Sequence, residues 1–320
     1  MSRFPMQRYP NGWFQIAYSH ELEPKGVMPV KYFGREMVLF RTESGEPKLL
    51  DAYCPHLGAH LGYGGRVDGD CIECPFHAWK FDGTGACREI PYATKIPPKA
   101  KLEPRTMCER NGLIMAWYHE AGEPPQWEVP EVPEVGSDEW TDYECIDWKI
   151  RTHNQEMAEN SCDTAHFLYL HGTQEMPDGY AEPNGHILHT HSDTVMKTPQ
   201  GKTKGAVDVY AYGFGFTTTR FTGIVETLLV SSATTIDEEY VHLRFSLMVR
   251  KMVNDGVTST VGAAFKREIV RQLQQDIPIW ENKIYINPPL LVDGDGPIGV
   301  FRKWAKQFYT APGQRHLQSA

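Results

Sequence analysis

Two groups of metal-ligating side chains stand out in the sequence. Cys54-Pro55-His56 is followed, after seventeen residues, by Cys74-Pro75-Phe76-His77. Each half offers one thiolate and one imidazole. Both halves fall on expected turns between strands, so two loops could pinch a cofactor between them. Two cysteines and two histidines can hold a two-iron, two-sulfur cluster, thiolates on one iron and imidazoles on the other. The imidazoles raise the reduction potential above that of an all-cysteine cluster. A zinc ion takes the same donors. Cys71 and Cys74 also form a C-x-x-C pair, the spacing of a zinc knuckle or a redox dithiol. Against zinc, the C-x-H spacing of the first half is tighter than a zinc-finger loop. The Cys-Pro shared by both halves favours paired loops around a cluster, with Cys71 as a strand residue.

The second group begins at Glu159-Asn160-Ser161-Cys162-Asp163-Thr164-Ala165-His166 and runs on to His171. Asn160, Asp163 and His166 are three apart and would share one face of a helix. His171 is off that register. To meet His166 at one metal, the helix must end between them, and Gly172 is a plausible stop. The plainer alternative is two histidines at a helix end, where positive charge is favoured. A third candidate comes from Phe265, Ile269, Leu273, Asp276 and Trp280, one helical stripe whose only charge is Asp276. A carboxylate in an apolar stripe is costly unless it is paired or binds metal. Pro278 should push away the carbonyl of Gln274 and kink that helix. Two histidines and one carboxylate make the facial triad of non-haem iron(II) oxygenases, which leaves coordination positions open for O2.

The elements that must carry these groups change along the chain. Short apolar runs at Met37–Phe40, Lys48–Tyr53 and Leu113–Tyr118 alternate with turn clusters at 43–47, 67–70 and 82–85, which predicts a small antiparallel β domain. Pro124, Pro125, Pro130 and Pro133 crowd a linker of about 121–138, since proline at this density excludes helix and central strand. Beyond it, the pattern predicts helices over Thr152–Tyr169 and Ala263–Tyr285 and strands over Gly215–Ser232 and Glu239–Val249. The expected architecture is α+β: an all-β domain over 1–125, then an antiparallel sheet with packed helices, helix-grip-like, over 126–320. Tyr210, Tyr212, Phe214, Phe216, Phe221, Phe245 and Met248 could line a large apolar pocket or simply form core.

Composition narrows the function further. The chain has 320 residues and a net charge of −9, which argues against a nucleic-acid binder. The acidity serves solubility or a charged redox partner equally well. With seven cysteines, an odd number, no disulfide framework is expected. The N-terminus has no apolar run, and Gly112–Tyr118 is too short to span a bilayer, so a cytoplasmic protein is expected. Gly294-Asp295-Gly296-Pro297-Ile298-Gly299 fits a dinucleotide fingerprint only formally. Too few residues follow it for a strand–helix–strand unit, and it contains a proline. Reducing equivalents must then come from a separate protein.

Cys54-Pro55-His56-Leu57-Gly58 with Cys74-Pro75-Phe76-His77-Ala78-Trp79 resembles the signature of the Rieske ring-hydroxylating oxygenases. Leu57 stands where arginine is usual and Ala78 where glycine is usual. The resemblance implies that Cys54 and Cys74 bind one iron of a [2Fe-2S] cluster and His56 and His77 the other. It further implies that His166, His171 and Asp276 hold a mononuclear Fe(II), with Glu281 as the alternative carboxylate. Asn160 and Asp163 become active-site residues. Asp163 would be a carboxylate linking His166 of one subunit to His77 of the next in a head-to-tail homotrimer. Within the family the chain is most similar to the steroid and sterol branch, that of the 3-ketosteroid 9α-hydroxylases and cholesterol 7-desaturases. The segments Ile90–Ala93, Ser137–Asp142, Gln275–Trp280 to Pro288, and Phe301–Tyr309 carry that likeness. The implied activity is O2-dependent hydroxylation or desaturation of an apolar, steroid-like substrate, with electrons from NAD(P)H through a reductase, with or without a ferredoxin. An aromatic-ring hydroxylase, a non-catalytic Rieske electron carrier and a zinc-stabilised binding protein are the alternatives.

Overall fold

The structure, a computed structural model, describes residues 3–173, 175–198 and 201–310. The chain divides into two compact units. One comprises Phe14–Tyr118 with Pro124–Gln126. The other comprises the N-terminal residues through Trp13, His119–Glu123 and everything from Trp127 onward.

The first unit is built from short antiparallel strands. They are β1 (Gly12–Tyr18), β2 (Val27–Tyr32), β3 (Arg35–Arg41), β4 (Pro47–Asp51), β5 (Arg66–Asp68), β6 (Cys71–Glu73), β7 (Lys80–Asp82), β8 (Cys87–Glu89), β9 (Met107–Arg110) and β10 (Leu113–Tyr118). They form three sheets, ordered β1-β10-β9, β2-β3-β4 and β5-β6-β7-β8. The glycine- and aspartate-rich clusters fall at the β3–β4, β5–β6 and β7–β8 turns, as their composition predicts. Cys71 opens β6. Val38, Phe40, Leu61, Ile72 and Phe81 make a core that also takes in Cys54 and Cys74.

In the second unit, β11 (Glu144–Ile150) is followed by α1 (Asn154–Glu159) and α2 (Thr164–Tyr169). Next come β12 (Gly179–Asn184), β13 (Ile187–Thr198), β14 (Gly201–Tyr212), β15 (Thr217–Phe221), β16 (Thr227–Thr235) and β17 (Val241–Val249). The long α3 (Asp255–Asn282) and the short α4 (Ile298–Ala305) complete it. The strands form one antiparallel sheet, β11-β17-β16-β15-β14-β13-β12. Neighbours along β12–β17 are consecutive hairpins, and β11 closes the β17 edge. Leu273 and Trp280 of α3 pack with Ile150, Val241 and Leu243 of the sheet, so one face of the sheet is covered by the helices.

Three expectations are corrected. The helix expected over Thr152–Tyr169 is two helices separated by a 3-10 turn at Asn160–Cys162, with Asp163 extended at φ −95°, ψ 97°. Asn160, Asp163 and His166 therefore do not share one helical face. Asp163 instead caps α2, its carboxylate accepting from the His166 amide. The single strand expected at Gly215–Ser232 is β15 and β16, turned at Gly223, whose φ is +127°. The long C-terminal helix starts earlier, at Asp255, where the Asn254 side chain accepts from the Val257 amide, and it runs through Pro278 to Asn282.

Candidate metal centres and the adjoining cavity

Cys54 and Cys74 sit in two loops of the same build. The Cys54 amide donates to the Ala59 carbonyl (2.9 Å), and the Cys54 carbonyl accepts from the Gly58 amide (2.9 Å). In the second loop the Cys74 amide donates to Trp79 (2.8 Å), and the Cys74 carbonyl accepts from Ala78 (3.0 Å). The turn residue is left-handed in both, Gly58 at φ +76° and Ala78 at φ +56°. Glycine adopts that conformation freely, whereas alanine takes it at a cost.

The four donors face one another across these loops. The His56 and His77 rings lie 4.6 Å apart at 71°. Trp79 stacks flat on His56 at 4.7 Å and donates its indole N–H to Tyr92 Oη, 2.8 Å away. Both cysteines are buried. Burial, then the adjacent Cys74 thiol, push the Cys54 thiol up to about 11. The buried His56 Nδ1 has no hydrogen-bond partner, an uncommon state for a buried polar atom. Two buried cysteines close together and an orphaned imidazole nitrogen fit residues that would hold an electropositive group. Among the described residues, the one set of three or more ligands gathered tightly enough for a single ion is elsewhere. The wider spread of these four fits a cluster better than one zinc.

That tighter set is His166, His171 and Asp276, whose ligand atoms all lie within 4.8 Å of one another. His166 comes from α2, His171 from just past its end, and Asp276 from the last two turns of α3. The chain turns between the histidines as α2 ends, and Gly172 follows at φ +77°. His171 Nε2 is 3.5 Å from Asp276 Oδ2. Each histidine is oriented from behind. His166 Nδ1–H donates to the Asp163 carbonyl at 2.5 Å, and His171 Nδ1–H to Gln275 Oε1 at 3.1 Å. Both Nε2 atoms are thereby left for a metal. Asn160 Nδ2 donates to Asp276 Oδ1 at 3.2 Å, and Trp280 Nε1 donates to Asn160 Oδ1 at 3.3 Å. Asp276 is 8% exposed, and no lysine or arginine among the described residues pairs with it. Burial is the largest influence and lowers the His171 pKa, but the hydrogen bonds to Asp276 and Gln275 and the Asp276 charge together outweigh it and hold the pKa above its ordinary value. Burial raises Asp163, yet His166 holds its carboxyl below the usual range. Glu281, the alternative third ligand, instead accepts from the Arg151 amide at 3.3 Å and is not in the triad. Gln275 was not identified from the sequence, because a glutamine beside an aspartate on a helix carries no distinctive signal.

The triad opens on a cavity of about 240 Å3 between the helices and the covered face of the sheet. An adjoining cavity of about 330 Å3 shares Phe167, His171, Phe221 and Ile269 with it. Of the aromatic candidates, Phe214, Phe221 and Phe245 line the first cavity. Tyr210 and Tyr212 line a separate hollow beside Arg220, and Phe216 and Met248 are buried.

Comparison with known proteins gives the family of each half of the chain. Residues 12–100 match the family described as Rieske [2Fe-2S] domain. Residues 116–309 match 3-Ketosteroid 9alpha-hydroxylase C-terminal domain. The chain is 34% identical to cholesterol 7-desaturase nvd of Xenopus laevis, covering 94% of this chain and 72% of that protein. It is 31% identical to a 3-ketosteroid-9-alpha-monooxygenase, oxygenase component, of Rhodococcus rhodochrous, over 94% of this chain and 82% of the relative. The fold matches crystalline dicamba monooxygenase with a TM-score of 0.77 at 16% identity, over 93% of this chain and 97% of that one. A [2Fe-2S] domain joined to this catalytic domain defines the class, and the chain belongs to the Rieske oxygenases of the 3-ketosteroid 9α-hydroxylase family.

Proposed function

We propose that the protein is the oxygenase component of a Rieske monooxygenase that hydroxylates or desaturates a steroid- or sterol-like substrate. The observation that carries this reading is the convergence of His166, His171 and Asp276 on one point at the edge of an apolar cavity. The names of the relatives support the substrate class.

In this proposal the cluster-binding domain takes in residues 1–125 and the catalytic domain 126–320. Cys54, His56, Cys74 and His77 hold the cluster, and His166, His171 and Asp276 hold one Fe(II). The two groups, when bound, supply one-electron transfer and O2 activation respectively. The protein's part is placement. Gln275 and the Asp163 carbonyl fix the histidine tautomers. Asn160, held by Trp280, keeps the Asp276 carboxylate turned toward the histidines. The aromatic walls exclude water and take up the apolar substrate. Asp163 caps α2 yet keeps a side chain 35% exposed, and we assign it the link between centres in a head-to-tail homotrimer. The electrons come from NAD(P)H through a separate reductase, and the protein works in the cytoplasm. Among the described residues, no helix is long and apolar enough to cross a membrane.

Asp276→Ala tests the reading. The variant is expected to lose the mononuclear iron and O2-dependent turnover of a steroid ketone while keeping the cluster's visible absorbance. Full turnover in that variant would show that the third ligand is misassigned.

A further inference from the structure

The cavity beside the triad has a polar feature that the metal sites do not use. Its floor is made by the inward-facing residues of β14 to β17. One row across the sheet runs Ala211, Thr217, Ser231, Phe245, each directly opposite the next. All four line the cavity. Thr217 and Ser231 thus place two hydroxyls side by side in a floor that, Thr219 apart, is otherwise set by valine, alanine, leucine and phenylalanine. Thr219 carries the next hydroxyl along β15.

Apart from Thr219 and the triad, the other polar side chains lining this cavity are engaged. Asn154 donates to the Ala233 carbonyl at 2.5 Å. Asn160 bridges Asp276 and Trp280. Ser161 donates to the Ala158 carbonyl at 2.9 Å, and Gln272 to Glu268 at 2.9 Å. The hydroxyls of Thr217 and Ser231 have no hydrogen-bond partner among the described residues. The contrast with neighbouring Ser232, which faces the other way and donates to the Gly215 carbonyl at 2.5 Å, is direct. Threonine is common in strands on propensity grounds, but serine is not. A hydroxyl left unpaired when an apolar ligand displaces cavity water is unfavourable.

We propose that Thr217 and Ser231 form a polar subsite that receives a ketone or hydroxyl oxygen of an otherwise apolar substrate. The inference rests on the steroid-like substrate class proposed above and sharpens it to a rigid apolar skeleton with an oxygen at one end. Directly opposed strand residues have Cβ atoms about 5 Å apart, close enough for two hydroxyls to bracket one oxygen. Each hydroxyl both donates and accepts, so a ketone or an alcohol serves. Pinning one end of a rigid skeleton fixes which carbon lies against the triad. These are specificity residues: they hold the substrate and do not touch the reacting carbon.

The test is equilibrium binding of two probes, the steroid monoketone androstanone and its parent hydrocarbon androstane, to the holoenzyme. Wild type should bind the ketone more tightly. Thr217→Val with Ser231→Ala should weaken ketone binding about tenfold, at roughly one hydrogen bond per hydroxyl, and leave the hydrocarbon within about twofold. Thr217→Ser with Ser231→Thr keeps both hydroxyls and should keep the preference for the ketone, which separates lost hydrogen bonding from disturbed packing. The proposal is overturned if the double variant weakens both probes alike, or neither, or if Thr219→Val alone abolishes the preference. Wild type that binds both probes equally overturns the subsite but leaves the steroid reading standing. Wild type that binds neither overturns the steroid reading and the subsite with it.

Discussion

Ala78 carries a methyl group at φ +56° in the loop that holds Cys74, where the matching Cys54 loop has Gly58. A left-handed alanine costs on the order of 1 kcal/mol, partly offset by the greater freedom glycine has in the unfolded chain. Ala78→Gly should therefore stabilise the protein by up to about 1 kcal/mol, and Gly58→Ala should destabilise it by a similar amount; denaturant midpoints of the two variants check this. At the second centre the residue to probe is Gln275. Its carbonyl fixes the His171 tautomer from behind. Gln275→Leu should weaken Fe(II) binding about 10–100-fold, read by chelator competition, with cluster absorbance unchanged. Unchanged iron affinity would mean that Asp276 alone orients His171.

The α1–turn–α2 segment is the element on which the catalytic unit hinges. His153 caps α1 with a neutral ring, Nδ1 accepting from the Gln155 amide at 3.1 Å and Nε2–H donating to the Gln7 carbonyl at 3.0 Å. Burial pushes its pKa down from 6.5 to about 4. Above pH 6.5 folded and unfolded chains are both neutral here, and nothing is lost. Between pH 6.5 and about 4 the unfolded chain takes up a proton that the native ring refuses, so stability falls across that window. The full effect is on the order of 3 kcal/mol. Comparing the urea midpoints of wild type and His153→Asn at neutral pH and near the bottom of that window isolates this contribution.

This segment also shows what was legible in the sequence. His166 and His171 were readable from their tight motif and Asp276 as the one charge on an apolar stripe, while the resemblance joined the three, with Glu281 as the alternative carboxylate. The break at Asp163 was not read, although aspartate before Thr-Ala-His is a capping signal; the three-residue spacing matched a continuous helix and prevailed. Strand β13 was missed because Ile187–Thr198 is mostly threonine, histidine, serine, aspartate and lysine. Polar residues on both faces leave no period-two apolar signal. Thr217 and Ser231 escaped notice for a related reason: their register partners are set by strand pairing, which local patterns do not encode.

At the scale of the whole molecule, the head-to-tail trimer we propose makes each catalytic site depend on a neighbour's cluster. A preparation co-assembled from His77→Ala and Asp276→Ala chains should regain turnover that neither variant has alone. No recovery would point to transfer within one chain. In the proposed enzyme one polypeptide holds a [2Fe-2S] cluster and a separate mononuclear iron. An EPR spectrum of the anaerobically purified, dithionite-reduced protein, with iron and acid-labile sulfide assayed on the same sample, tests it most directly. A Rieske-type signal with about two sulfides and about three irons per chain is expected. A colourless, zinc-containing protein would contradict it.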